Sequence, residues 1–144
     1  MTEPTWAIDL FGVKFIIDTS DFTIITFDGI DIDTAANLEQ SLEVNGVDYQ
    51  VASGKILRLL GVTECTSEAG DVKLTQTDTA DSQVGSIDKW TPPFSAAGVG
   101  NGKGPVTIFD VTFAAGKFVT IHNPSASPRI FTAVNLIGLE FTVV

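Results

Sequence analysis

A chain of 144 residues with 44% apolar side chains can bury one hydrophobic core and is too apolar for intrinsic disorder. A single cysteine, Cys65, excludes an internal disulfide, so stability has to come from packing. The formal net charge of −10, from eighteen acids against eight bases, opposes contact with nucleic acid phosphates and anionic lipid, and the expected partners are proteins.

The first residues, Met1-Thr2-Glu3-Pro4, lack the basic stretch and apolar run of a signal peptide. Residues 130–139 form a run too short and too polar to span a bilayer. Synthesis in a cytoplasm, with no membrane partner, is the expectation. From the start of the chain the side-chain period is two. Trp6, Ile8 and Leu10 alternate with Ala7 and Asp9, then Val13, Phe15 and Ile17 with Lys14 and Ile16. Such alternation places one set on a core face and the other outward. Residues 22–27 all favour β structure. Within the acidic stretch 28–33, Asp31-Ile32-Asp33 reads as a strand with an acidic outer edge. Asp28, Asp31 and Asp33 are also the one candidate for calcium, although the loop order D-x-D-x-D-G is not met.

Residues 34–42 hold the one candidate helix, with Ala35, Leu38 and Leu42 on one face and Asp33 or Thr34 as a cap. Asn45-Gly46 lies between two alternating runs, and both residues tolerate the positive φ of a two-residue turn, which predicts a tight hairpin. Strands are predicted at 56–62 and 72–77. A long connection follows at about 80–105, with Trp90, Pro92-Pro93-Phe94 and a glycine-rich run at 98–104. Further strands are predicted at 106–113, 118–122, 129–134 and 139–143. So many short strands separated by turn signals predict a single all-β domain over 1–144, an antiparallel β-sandwich.

The chain carries an internal echo. Tyr49-Gln50-Val51-Ala52-Ser53-Gly54-Lys55-Ile56-Leu57-Arg58-Leu59 matches Val111-Thr112-Phe113-Ala114-Ala115-Gly116-Lys117-Phe118-Val119-Thr120-Ile121 in pattern. In each, a strand should run into a tight turn at Ala-small-Gly-Lys and a second strand should leave it. The echo does not recur a third time, which excludes a solenoid or propeller.

These echoed turns, together with Asn123-Pro124-Ser125-Ala126-Ser127 and Ile137-Gly138-Leu139-Glu140, resemble small jelly-roll structural proteins of tailed bacteriophages, specifically capsid decoration (cement) proteins. The matching pieces cover a minority of the chain, and their patterns are of low specificity. The resemblance implies a jelly roll, often trimeric, that binds the major capsid protein on the outer face of a virion and stabilises the shell.

No constellation for catalysis stands out, and no enzyme, cofactor or metal site is expected. His122 is the only histidine, and its position before Asn123-Pro124 reads as a residue flanking a turn. A Cys/His zinc site lacks ligands. The glycine run fails as a phosphate loop, because Ala97 and Gly104 stand where glycine and a hydroxyl residue are needed. The aromatics offer the best functional hint. Trp90 and Phe94 sit in the predicted loop, where they either seal one end of the sandwich or form an interface. Trp6, Phe11, Pro92, Pro93 and Phe141 complete the interface candidates. The alternative function is a carbohydrate- or receptor-binding module of a tail fibre or tail tip, with Trp90 and Tyr49 as stacking candidates. A homo-oligomer is expected, since the predicted strands 6–10 and 139–143 carry few charges to protect a sheet edge.

Overall fold

The computed structural model describes residues 5–10, 13–18, 23–28, 30–34, 39–62, 64–67, 72–91, 106–107, 111–134 and 136–142. In chain order the strands are β1 (Thr5–Leu10), β2 (Val13–Asp18), β3 (Thr23–Thr26), β4 (Ile30–Thr34), β5 (Glu39–Ser41), β6 (Glu43–Val44), β7 (Val47–Asp48) and β8 (Lys55–Val62). They continue with β9 (Glu64–Ser67), β10 (Lys73–Thr77), β11 (Ile87–Trp90), β12 (Val106–Thr107), β13 (Thr112–Phe113), β14 (Phe118–His122), β15 (Arg129–Val134) and β16 (Ile137–Thr142). Every pairing is antiparallel, and no helix occurs among the described residues. The all-β sandwich expected from the alternation is present.

Two sheets enclose the core. One runs β11-β10-β14-β5, the other β12-β8-β16-β3 with β13 also paired to β8. Leu74, Val119 and Ile121 from the first meet Leu57, Leu59 and Val62 from the second in one buried cluster. Alternation explains the pairs Val119/Ile121 and Leu57/Leu59, each two positions apart, and the register shift opposite Ile137 and Gly138 offsets Val62 by one residue. A third sheet, β4-β15-β9, adds Phe131 to the same cluster. Gln76 is buried on the core side of β10 and accepts the Ala114 N–H at 2.9 Å, which ties one sheet to the turn leaving the other.

The sequence echo is an approximate structural repeat. Tyr49 and Val111, Val51 and Phe113, Leu57 and Val119, and Leu59 and Ile121 are matched positions, and all eight are buried. Gly54 and Gly116 adopt φ of 74° and 73°, the left-handed backbone the turn requires. In both turns the lysine N–H closes onto an alanine carbonyl, Lys55 to Ala52 at 3.1 Å and Lys117 to Ala114 at 3.2 Å. The two copies interlock. Gln50, before the first turn, pairs with Phe118 after the second, while Thr112 and Phe113, before the second, pair with Arg58 and Leu57 after the first.

The predicted hairpin is β6–β7, with Asn45 at φ 53° and Gly46 at φ 75°. Three expectations need correction. The candidate helix at 34–42 is instead extended wherever it is described: Thr34 ends β4 and Glu39–Ser41 form β5, while 35–38 lie outside the described residues. Leu42 is buried as expected, but it reaches the core from an extended backbone that pairs with β14, so tertiary pairing overrides the helical spacing. The long connection 80–105 contains β11, whose pairing with β10 captures a segment too charged to read as a strand. The predicted edge strand 139–143 is, as far as it is described, part of β16 and not an edge, because β16 is hydrogen-bonded to β8 on one side and β3 on the other. Gly138 permits that central position: a Cβ there would lie 2.6 Å from the buried Leu57 Cδ1.

Candidate interaction surface

Of the interface candidates, Phe11, Pro92, Pro93 and Phe94 lie outside the described residues. Trp6 is on β1, its backbone opposite Ile17 of β2. Trp90 stands on β11 rather than in a loop, opposite Leu74, half-buried and packed against the core. It therefore acts as a seal on the sandwich. Phe141 is only 7% exposed. Register places it beside Ile56, on the opposite face of the sheet from Leu57 and Glu140.

Among the described residues, the large apolar side chains that face solvent are Ile24, Val47, Leu60, Val84 and Ile87. Ile24 is 61% exposed on β3, opposite Leu139 of β16. None of the five was singled out in the sequence. Ile24 in particular sits in the run 22–27, where every residue favours β structure and none announces which face is left uncovered.

Among the described residues, carboxylates are buried at two places. The first is Glu39, whose carboxylate is fully enclosed on the face of the four-stranded sheet away from the core. Thr75 Oγ1 donates to Glu39 Oε2 at 2.9 Å, Ser86 Oγ donates to Oε1 at 3.0 Å, and His122 Nδ1 lies 3.0 Å from Oε1. The Thr75 and Thr120 hydroxyls are 2.6 Å apart beneath them. Burial pushes the Glu39 carboxyl above its ordinary value, against the pull of the Thr75 and Ser86 hydrogen bonds and the His122 imidazole. The register of β5, β14 and β10 sets the cluster up, because Glu39, His122 and Lys73 stand in one row and Ser41, Thr120 and Thr75 in the next. Chemically the arrangement is a clasp. Ser86 bonds the carboxylate and not the imidazole, so the order nucleophile, base, acid that would activate its hydroxyl is not formed. His122 is thus more than a residue flanking a turn, and its signal was invisible in sequence because the cluster it joins is assembled from four separate segments.

The second is Glu140, on the core side of β16. Its Oε2 accepts the Tyr49 hydroxyl in a short hydrogen bond and the Ala52 N–H at 3.3 Å. Burial, and then the adjacent carboxylate, push the Tyr49 hydroxyl well above its ordinary value, so it stays a donor. Tyr49 also packs edge-on against Phe27, with centroids 5.3 Å apart. Tyr49→Phe should therefore cost about 1–3 kcal/mol, the usual penalty for weakening the pairing of a buried polar group. Urea denaturation at neutral pH reads it, and a change below about 0.5 kcal/mol would show that solvent reaches Glu140.

The acidic stretch has a structural use. Asp28 accepts the N–H groups of Asn45 at 3.0 Å and Gly46 at 2.8 Å, pinning the β6–β7 turn. Asp31 and Asp33 lie on β4, opposite Thr132 and Ile130. Among the described residues no group of three or more histidine, cysteine or acidic side chains is placed to hold a metal. Comparisons with protein-family models, with curated proteins and with solved structures found no match.

Proposed function

We propose that the protein is a non-enzymatic structural protein, a capsid decoration protein that binds the major capsid protein on the outer face of a phage shell and stabilises it. The observation that carries this reading is a division of labour in the side chains. The buried ionisable groups Glu39 and Glu140 are both engaged in holding strands together, whereas Ile24, Val47, Leu60, Val84 and Ile87 stand in solvent. A surface that is apolar in places and strongly acidic overall suits contact with protein on the outside of a particle, away from packaged nucleic acid. Shell stabilisation then follows by mass action, since bound copies add binding free energy to the assembled state. A homotrimer, with closed symmetry that stops fibre growth, is part of the proposal. Binding of carbohydrate by stacking has less support, because Tyr49 is buried and Trp90 packs on the core.

The test is co-purification with assembled particles. Fixed stoichiometry, together with a rise in the particles' melting temperature on adding the protein, supports the reading. Absence from particles defeats it. Light scattering during size exclusion checks the oligomer, for which a persistent 15.3 kDa species argues against self-association in solution.

A further inference from the structure

The two main sheets have four lateral edges, and three are blunted. At β5 the Ser41 N–H donates to Asp81 Oδ1 at 2.7 Å and the Asp81 N–H to Ser41 Oγ at 2.9 Å, so a loop covers the edge. At β11 the edge carries Asp88 and Lys89, and its register with β10 breaks between Leu74 and Thr75. The outer side of β8 is taken by two strands of two residues each, β12 and β13. Charges, bulges and short or covered strands are the usual means of discouraging further pairing.

Among the described residues the fourth edge, β3, carries no charge, no bulge and no strand paired along Thr23–Thr26. Its residues are Thr23-Ile24-Ile25-Thr26, without charge, proline or glycine, in unbroken register with β16. Thr23, Ile24 and Thr26 are exposed, and among the described residues no strand lies on its other side. In sequence the stretch around it is acidic, with eight carboxylates and no lysine or arginine in residues 15–54, and the nearest cation by register is Arg58, two strands away across Leu139. At one end of β3 the Asp28 N–H donates to the Glu43 carbonyl, which brings the hairpin bearing Glu43 and Asp48 alongside.

We infer that the β3 edge is a docking site for an extended segment of a partner protein in which alternating apolar residues are flanked by lysine or arginine. The segment adds a strand next to β3, its backbone pairs with the free edge, one apolar side chain covers Ile24, and its basic flanks meet the acidic stretch. A second copy of this chain is the poorer occupant, because it brings the same acidic stretch against itself. The inference stands whatever assembly the partner belongs to.

Fluorescent peptides with a Val-Thr-Val-Thr-Val core, flanked by lysines in one and by glutamates in the other, test it by anisotropy on the whole chain. The lysine-flanked peptide should bind, weakening about tenfold or more as the ionic strength rises from about 0.01 M to about 1 M. The glutamate-flanked peptide should not bind. Ile24→Lys, an exposed substitution that leaves the core untouched, should weaken binding about tenfold or more, and Val84→Lys should leave it unchanged. Binding by neither peptide at millimolar concentration, or equal effects of the two variants, overturns the inference. Dimerisation of the wild-type chain that Ile24→Lys abolishes would assign the edge to a second copy instead.

Discussion

Phe113→Ala should cost about 3–5 kcal/mol and lower the melting temperature by about 10 °C or more. Phe113 is fully buried and holds the place in the second echoed segment that Val51 holds in the first. It faces Leu57 across the β13–β8 pair and lies under the Lys89 ammonium, 5.9 Å from its ring centroid. β13 has only two residues, so it cannot shift to refill the space without losing its register. The residual cavity should therefore be large, and the cost should fall at the upper end of the range for aromatic truncation. Val51→Ala, at the matched position, removes far less volume and should cost correspondingly less. Thermal and urea unfolding of both variants check the ranking. Near-equal losses would mean that the two echoed segments collapse around their cavities to different degrees, contrary to their matched burial.

The second large effect is at Glu39. Glu39→Ala removes the acceptor for Thr75 and Ser86 and the partner of His122, and should cost about 3–5 kcal/mol at pH 7. Glu39→Gln should behave differently. Because the native carboxyl binds its proton more tightly than the unfolded one, ionised Glu39 opposes folding at neutral pH. That cost is relieved as the pH falls through the raised native value and is gone below the ordinary value of 4.5. A neutral amide has no such titration, although its Nε2 cannot accept as the second carboxylate oxygen does, so the stability of Glu39→Gln should depend less on pH than that of the wild type. The wild type should gain on it as the solution is acidified toward pH 4.5. Urea denaturation across that range decides it. A wild-type advantage that instead grows with rising pH would falsify the assignment of burial as the dominant influence on Glu39.

Features set by nearest neighbours and by period were legible in the sequence. Asn45-Gly46 could only turn tightly, and the Ala-small-Gly-Lys turns with their alternating flanks marked two strand–turn–strand units before any pairing was known. What stayed hidden depends on distant partners. Ala35, Leu38 and Leu42 fit a helical face, yet Leu42 donates its N–H to Val119 as part of an extended pairing that no local pattern encodes. Ile87–Trp90 looked like loop because Asp88 and Lys89 interrupt it, although Lys73 neutralises Asp88 across the pair at 2.6 Å. The Glu39 clasp joins residues separated by up to most of the chain, so its members looked like ordinary surface polar residues. The exposed edge was misplaced for the same reason: the predicted strand 139–143 looked unprotected because the two neighbours of β16 are remote, whereas nothing in the β-favouring run 22–27 marks β3 as having one neighbour.

The central place of β16 has a consequence for synthesis. Thr23 of β3 pairs with Glu140, and β8 on the other flank pairs with the same strand. At the usual rate of translation, a nascent chain holds β3 without its neighbour for on the order of ten seconds. During that time both sides of an uncharged Thr-Ile-Ile-Thr strand are open, and the five-stranded sheet has no middle. Pairing of β3 must wait until β16 has emerged from the ribosome, and non-local pairing of this kind is slow once it begins. Overproduction that outruns this step should put the chain into inclusion bodies through β3, and slower translation at low temperature should recover it in soluble form.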